Sequence, residues 1–159
     1  TMSETFSAEG GCSCGQVRYR VTERPLFVNC CHCTWCQRQS GSAFAINAMI
    51  ESDRIKLLAG TPEGTEVPTP SGKGQTIMRC PNCKIAVWGH YGGAGDDLAF
   101  LRVGSLDDAT ALEPDVHIYT STKQPWVSLP EGKSSFPEYY SAKEIWPPES
   151  LERMAALMS

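Results

Sequence analysis

The stretch Cys30-Cys31-His32-Cys33-Thr34-Trp35-Cys36 decides the fold of this chain, because it places four cysteines within seven residues. The other cysteines form two close pairs, Cys12 with Cys14 and Cys80 with Cys83. Cysteines this close together chelate one ion well, whereas adjacent or i,i+2 cysteines are awkward disulfide partners. The pattern therefore predicts zinc sites in a reducing cytoplasm, in preference to the disulfides of a secreted protein.

Composition and charge are those of an ordinary globular protein, and they exclude several classes of function. The chain has 159 residues, of which 41% are hydrophobic and 20% charged, and its formal net charge is −4 without a run of Lys or Arg. A nucleic-acid surface usually needs clustered basic residues, so we expect no nucleic-acid partner. No segment approaches the ~20 apolar residues of a membrane span. No signal-peptide pattern opens the sequence, and we expect one cytoplasmic domain over residues 1–159.

Apolar periodicity predicts a mostly β fold. Gln16 to Val21 alternates apolar and polar residues, as a half-buried strand does. Ala43 to Ile50 is apolar on both faces and reads as a buried strand. A single helical turn is predicted at residues 37–41, ended by Gly41. Further short strands are predicted at residues 26–29, 54–58, 75–79, 86–91, 98–103 and 116–119.

Two long segments are predicted to lack regular structure, and a helix is predicted at the end of the chain. Residues 60–74 are rich in Gly, Pro, Thr and Ser, and we interpret them as a solvated loop, with a lid as the alternative. Residues 123–140 contain several prolines and two tyrosines and predict an ordered loop held by aromatic side chains. The terminal helix, near residues 149–158, has an apolar face made of Leu151, Met154, Ala155 and Met158.

Seven of the eight cysteines divide into a closed metal site and an open one. Cys12 and Cys14 need two more ligands, which Cys80 and Cys83 supply, although spacing alone also allows the last pair to join the central cluster. Four thiolates at about 2.3 Å saturate zinc, so this site is predicted to be structural. Because its ligands assemble only on folding, metal binding there would staple distant strands together.

Cys31, Cys33 and Cys36 then remain as ligands without a second pair. Cys30 is adjacent to Cys31, and neighbouring side chains diverge in extended backbone, so we do not assign both to one ion. Three protein ligands with an exchangeable fourth position are typical of a catalytic zinc site. Three thiolates leave the ion with a net charge of about −1, which suits it to holding an incoming thiol as thiolate better than to activating water.

A histidine that completes a closed site is the main alternative to this open position. His32 lies inside the cluster but points away from its neighbours in extended backbone. His90 and His117 are isolated in the sequence, and we interpret both as structural residues. Cys30 is left as either a thiol beside the metal ligands or a small buried apolar residue.

Four motifs occur along the chain: G-C-S-C-G-Q-V-x-Y, C-H-C-x-x-C-Q-R-x-S-G, C-P-N-C and H-I-Y-x-x-x-K-Q-P-W-V. In this order they resemble the glutathione-dependent formaldehyde-activating enzyme family, the Gfa-like or CENP-V/GFA domain. The resemblance covers about residues 8–140 and implies an Mss4-like fold of zinc-stapled antiparallel β-sheets, with a C-terminal helical extension at about 148–158. It also implies a structural zinc and a catalytic zinc, held by Cys12, Cys14, Cys80 and Cys83 and by Cys31, Cys33 and Cys36 respectively.

The resemblance further implies an activity and its substrates. The family adds glutathione to formaldehyde to give S-(hydroxymethyl)glutathione, formally a carbon–sulfur lyase reaction, so a small thiol and a small aldehyde are the expected partners. Glutathione carries two carboxylates and one ammonium. We name Arg38 and Lys123 as candidate ligands for it and Trp126 as a wall of its pocket. The alternative for Arg38 and Lys123 is an ordinary surface charge, and the alternative for Trp126 is an aromatic pin that holds the C-terminal segment in place. One departure from the family pattern is Lys84, which follows Cys83 where Gly is usual.

Two other functions stay open at this point. The first is a zinc-stabilised module that binds a protein partner without catalysis. The second is a family enzyme with a different substrate, because the motifs specify zinc and fold better than they specify substrate. An unsaturated zinc site favours an enzyme over a structural module. The terminal helix could serve a homo-oligomer, although packing on its own domain explains its apolar face more simply.

Overall fold

The computed structural model describes residues 6–159, which form two β-sheets and three α-helices. The strands are β1 (Ala8–Gly11), β2 (Arg18–Val21), β3 (Phe27–Cys31), β4 (Ala45–Glu51), β5 (Ile55–Ala59), β6 (Glu63–Val67), β7 (Gln75–Arg79), β8 (Ala86–Tyr91), β9 (Leu98–Arg102), β10 (Val116–Ile118) and β11 (Ser134–Ser135). The helices are α1 (Thr34–Ser40), α2 (Ala142–Ile145) and α3 (Pro148–Met158). Within residues 6–159, none of these helices has the length and apolar character needed to cross a membrane.

The strands are arranged in a large and a small sheet, and the predicted mostly β class with a short C-terminal helix is confirmed. The large sheet has the strand order β11-β10-β3-β4-β9-β8-β7-β6, and the small sheet has the order β1-β2-β5. Pairing is antiparallel throughout the small sheet. In the large sheet it is antiparallel along the run β3-β4-β9-β8-β7-β6. β10 departs from the predicted antiparallel pattern, because it runs parallel to both β3 and β11. The chain after β10 is thereby placed beside the central cysteine stretch that follows β3.

A hydrophobic core covers each face of the large sheet. Val28 and Leu101 on one face pack with Tyr19 of the small sheet. Phe27 and Leu98 on the other face lie in a second core, which α1 and the C-terminal segment cover. Because successive side chains of a strand point to opposite faces, a strand buried on both faces reads as continuously apolar. This explains why β4 gave such a clear apolar signal.

The predicted loop at 60–74 was wrong in part, because β6 lies within it. β6 pairs with β7 at the edge of the large sheet. Four of its five residues are exposed, so the strand carries no apolar pattern by which the sequence could reveal it. The backbone hydrogen bonds to β7 fix it in place, and the remaining parts of the segment have no regular secondary structure.

The apolar face predicted for the terminal helix was also wrong in part. Leu151 and Met154 pack against the core as expected, but Leu157 accompanies them, while Ala155 and Met158 are exposed. The buried face of the helix is therefore shifted from the predicted one. It includes Ser150 in the first turn, whose hydroxyl donates to the Leu26 carbonyl oxygen at 2.7 Å. A polar residue on the buried face is invisible to a periodicity built on apolar residues.

An ion pair attaches α3 to the large sheet. Arg153 donates from Nε and Nη2 to the two carboxylate oxygens of Glu51, at 3.0 Å and 2.6 Å. Its Nη1 donates to the Arg24 carbonyl oxygen at 2.8 Å. Burial of Glu51 opposes its ionisation, but hydrogen bonds from Arg153 and from backbone outweigh this and lower the pKa of the carboxyl group. Bidentate pairing of this kind is stronger and more directional than an ordinary surface ion pair.

Replacing Arg153 should therefore destabilise the protein by leaving the Glu51 carboxylate buried without its main partner. We expect Arg153→Met to lower the free energy of unfolding by about 2–4 kcal/mol at neutral pH. The folded-state pKa of Glu51 is lowered, so its contribution is present above the unfolded-state pKa and is lost as the pH falls through the folded-state pKa. The difference between wild type and variant should therefore shrink in acid, as measured by urea unfolding at several pH values.

Arg20→Met is the matched control, since Arg20 makes an exposed ion pair with Glu9. That change should cost no more than about 1 kcal/mol. Equal losses in the two variants, or a difference that does not depend on pH, would contradict the assigned role of the pair between Arg153 and Glu51.

Candidate functional site

Four cysteines from distant parts of the chain meet where the two sheets approach each other. The Sγ atoms of Cys12, Cys14, Cys80 and Cys83 all lie within 4.8 Å of one another. The distance from Cys14 Sγ is 3.6 Å to Cys12 Sγ and 3.7 Å to Cys80 Sγ. This is the grouping predicted from the spacing. That the group holds a metal stays a prediction.

Backbone N–H groups surround these four thiols. The Val17 N–H donates to Cys12 Sγ at 3.3 Å, and the Asn82 N–H donates to Cys80 Sγ at 3.4 Å. The N–H of Ile85 lowers the pKa of the Cys83 thiol to about 6. Donors aimed at sulfur favour the thiolate form, which is the form that binds metals.

A second group forms where β3 ends and α1 begins, and it contains Cys31, Cys33 and Cys36. Cys31 is the last residue of β3, and Cys33 is the N-cap of α1, with its Sγ accepting from the Cys36 N–H at 3.3 Å. Cys36 lies in the first turn, so a strand end, a cap and a helical turn direct three thiols to one point. Gly41 ends the helix as predicted, with φ 69° and its N–H donating to the Gln37 carbonyl oxygen.

The three thiols are held in a polarised arrangement. Hydrogen bonds from the Cys31 and Cys36 thiols lower the pKa of Cys33 well below its ordinary value. The thiol of Cys36 is affected in the opposite direction, because its bonding to the other two raises its pKa, as does burial. Cys33, at the helix N-cap, is therefore the thiol of the three that ionises most readily, at a position where the helix dipole favours an anion.

Three tyrosines and a phenylalanine surround this group. Tyr91 packs edge-on against Phe100 with their ring centroids 4.7 Å apart. Burial raises the pKa of Tyr91, Tyr119 and Tyr139, and the nearby cysteine charges raise it further. All three hydroxyls therefore stay protonated at neutral pH. The Tyr139 hydroxyl lies on the inner side, where it donates to Tyr140 Oη at 3.4 Å, but 49% of the residue is exposed, so the aromatic wall has one side open to solvent.

Tyr119 has a backbone conformation that is unusual for a tyrosine. Its φ is 54° and its ψ is 41°, in the left-handed region that disfavours residues with a Cβ. It follows β10 directly, and its N–H donates to the Glu138 carbonyl oxygen at 2.9 Å. Strained residues of this kind persist where the surroundings fix them, often beside functional groups.

Two histidines pair behind the three-cysteine group instead of joining it. His32 Nε2 lies 3.0 Å from His117 Nδ1 and 3.6 Å from Cys30 Sγ, and all three residues are buried. Burial lowers the pKa of His32 to about 4, and the charges of His117 and Lys123 lower it as well. Burial also raises the pKa of the Cys30 thiol to about 12. The alternative in which His32 or His117 closes the open site therefore finds no support in the geometry.

The other residues singled out from the sequence are more dispersed. Arg38 is exposed on α1. Lys123 is half-buried, and its ammonium donates to the Val127 carbonyl oxygen at 2.9 Å. Trp126 is 73% exposed, so it does not act as a buried aromatic pin. His90 Nδ1 lies 3.0 Å from the Leu98 carbonyl oxygen, which ties its ring to the neighbouring strand.

The sequence did not single out the tyrosines or Arg102 as part of this region. Arg102 is half-buried beneath α1, where its Nη2 donates to Gln39 Oε1 at 2.5 Å. A signal for it existed, since an arginine at the end of an otherwise apolar strand needs a polar environment. Tyr119 lies within the fourth sequence motif, between His117 and Lys123. Only the parallel pairing of β10 with β3 brings that motif to the cysteines.

Comparison with known proteins identifies the family. Residues 7–122 match the model of the glutathione-dependent formaldehyde-activating enzyme family, GFA. The chain belongs to the GFA family. A curated Halomonas elongata protein, whose name marks it as a candidate glutathione-dependent formaldehyde-activating enzyme, is 28% identical over 128 residues, which cover 76% of this chain and 80% of the relative. A crystal structure of a Rhodobacter sphaeroides protein is 20% identical, with a TM-score of 0.46 over 67% of this chain and 91% of that chain.

The residue that follows the second cysteine pair has an unusual backbone conformation. Lys84 has φ 66°, which is the left-handed conformation that glycine adopts without cost. Its N–H donates to the Cys80 carbonyl oxygen at 2.9 Å, and its carbonyl oxygen accepts from Arg79 Nη1 at the same distance. The turn therefore contains a lysine in a strained conformation, and its side chain adds a positive charge beside the four-cysteine group.

Proposed function

We propose that this GFA-family protein is a zinc-dependent carbon–sulfur lyase that joins glutathione, or a related small thiol, to formaldehyde or another small aldehyde. The observation that carries the proposal is the three-cysteine group at the start of α1. Among the described residues, no fourth His, Cys, Asp or Glu ligand atom completes it. A site with three protein ligands and one free position is the arrangement that catalytic zinc uses.

The sulfur positions fit zinc. Tetrahedral zinc with Zn–S bonds of about 2.3 Å holds its sulfurs about 3.8 Å apart. The Sγ separations of 3.6 Å and 3.7 Å in the four-cysteine group are close to that value. We therefore propose that Cys12, Cys14, Cys80 and Cys83 hold a structural zinc. The Sγ atoms of Cys31, Cys33 and Cys36 lie within 4.8 Å of one another, and we propose that they hold a second zinc.

The proposed reaction forms one bond between sulfur and carbon. Zinc held by the three cysteines would supply an open position that keeps a substrate thiol deprotonated and close to the aldehyde. The thiol loses its proton and its sulfur bonds to the carbonyl carbon, while the C=O π bond opens and its electron pair moves to the oxygen, which then takes up a proton. Holding both reactants in one orientation supplies much of the acceleration in such an addition.

The chain itself fixes the positions of the cysteines, lines the site with apolar rings and offers a proton donor. The N-cap position of Cys33 and the helical position of Cys36 fix the ligands on rigid elements. The packed rings of Tyr91 and Phe100 form an apolar wall on the sheet side. The protonated hydroxyl of Tyr119 is our candidate donor to the developing alkoxide, with water as the default alternative.

Recognition of the rest of a glutathione molecule is assigned to charged groups around this opening. We propose Arg38 and Lys123 as partners of its carboxylates. Arg38 is exposed at the second turn of α1, and Lys123 lies close enough to affect the pKa of His32. Trp126, which is largely exposed in the same segment as Lys123, would cover the bound molecule.

Metal content should separate the two cysteine groups. We expect two zinc ions per chain in the wild type, and Cys31→Ser should lose one ion while the fold survives. Cys12→Ser should lose the structural ion and unfold at a much lower temperature, because metal binding at a closed site is part of the folding free energy. Elemental analysis and thermal unfolding of the purified variants measure both effects.

Cys30→Ser provides the matched control, because Cys30 is adjacent to Cys31 but its thiol lies with His32 and His117 and not with the three-cysteine group. It should retain two ions. Loss of an ion from Cys30→Ser but not from Cys31→Ser would refute the assignment. An equal fall in unfolding temperature in Cys12→Ser and Cys31→Ser would refute it as well.

The reaction itself is tested by exchange NMR of glutathione and formaldehyde. The wild-type protein should accelerate exchange between the free reactants and S-(hydroxymethyl)glutathione at catalytic concentrations. Cys31→Ser should abolish the acceleration and Cys30→Ser should preserve it. If the exchange rates are the same with and without protein, the named activity is wrong although the fold and metal sites stand.

A further inference from the structure

A cavity of about 650 Å³ lies between the C-terminal end of α1 and the four-cysteine group. Three cationic side chains line it: Arg79 at the end of β7, Lys84 in the turn that follows, and Arg102 at the end of β9. The whole chain has a formal net charge of −4, so three converging cations are a local exception. The proposed carbon–sulfur reaction does not use them.

Arg102 forms the inner wall of this cavity. Its one hydrogen bond to a side chain goes to Gln39, and across residues 6–159 no carboxylate lies within ion-pair distance of it. Gln39 also lines the cavity, and its buried Nε2 has no hydrogen-bond partner in the described part of the chain. A guanidinium has five donors, so most of those on Arg102 remain available. The Gln39 amide nitrogen is the buried donor at this wall, and leaving such a donor without a partner is costly, which makes the wall a favourable place for an acceptor.

Arg79 and Lys84 form the outer wall. Arg79 Nη1 donates to the Lys84 carbonyl oxygen, and this bond holds the turn against the end of β7. The Lys84 side chain is exposed, and within the described residues it makes no ion pair. The carboxylate of Asp107 also lines the cavity, but Arg18 donates to both of its oxygens. The positive charge of the cavity is therefore not neutralised from within.

We propose that this cavity binds a small anion, namely a phosphate or carboxylate group. Arg102 would contact it from the inner wall and Arg79 and Lys84 from the outer wall. Arginine suits this task because its planar guanidinium pairs with two oxygens of one anion, and lysine adds a point charge. The site is separate from the three-cysteine group, none of whose members line it.

A competing account is that these cations offset the negative charge of the cysteine groups. Cys12 lines the same cavity, and the Cys36 charge acts on Arg102. In that case the cations would be needed for metal retention, and added anions would not bind. The two accounts therefore predict different results for removal of one charge.

Lys84→Gly is the informative variant, because glycine accepts φ 66° without strain, so the side chain and its ammonium are removed while the turn is kept. A calorimetric titration of the zinc-loaded wild-type protein with inorganic phosphate, at low ionic strength, should show one saturable site per chain. Lys84→Gly should weaken it about fivefold or more while the zinc content stays unchanged, and added salt should weaken it further. Lys143→Gln, which removes a lysine outside the cavity, should bind phosphate as the wild type does.

Competition then identifies the source of the anion. If glutathione displaces phosphate, the cavity takes a carboxylate of the thiol substrate, and if it does not, the cavity takes a free anion. Absence of phosphate binding in the wild type overturns the proposal. Unchanged affinity in Lys84→Gly, or loss of zinc from that variant, also overturns it, and in these cases the proposed lyase activity is unaffected.

Discussion

The meeting of Cys12 and Cys14 with Cys80 and Cys83 is the constraint on which the rest of this structure depends. The first pair follows β1 in the small sheet, and the second joins β7 to β8 in the large sheet. The four Sγ atoms lie within 4.8 Å of one another although the pairs are far apart in the sequence. With the sheets fixed at this point, one face of the large sheet is buried against the small sheet, and the opposite face is left to carry the three-cysteine group.

That second face gathers its functional residues through a strand order that is not sequential. Cys31 ends β3, and Cys33 and Cys36 follow in α1. Parallel pairing of β10 with β3 places His117 beside Cys30 and directs Tyr119 toward the cysteines. The cysteines proposed to bind the second zinc and Tyr119, the candidate proton donor, thus come from two segments that one crossover of the chain brings together.

Much of this could be predicted from the sequence, because closely spaced cysteines and apolar strand patterns are local signals. The strands at 75–79 and 86–91 were predicted with the bounds that the structure has. β6 could not be predicted, since an exposed edge strand depends on backbone pairing with its neighbour. The pairing of His32 with His117 and the burial of Arg102 beneath α1 likewise arise from long-range strand order. Only packing in three dimensions determines such contacts.

The central claim is that the three-cysteine group leaves one metal position for an external thiol, and cobalt substitution tests it most directly. Cobalt in place of zinc reports each added thiolate as stronger sulfur-to-metal charge-transfer absorption. Titration with glutathione should raise this absorption to saturation at one equivalent per chain, whereas S-methylglutathione, which has no free thiol, should leave it unchanged. Identical spectra with both compounds would show that no position is open to a thiol and would contradict the account.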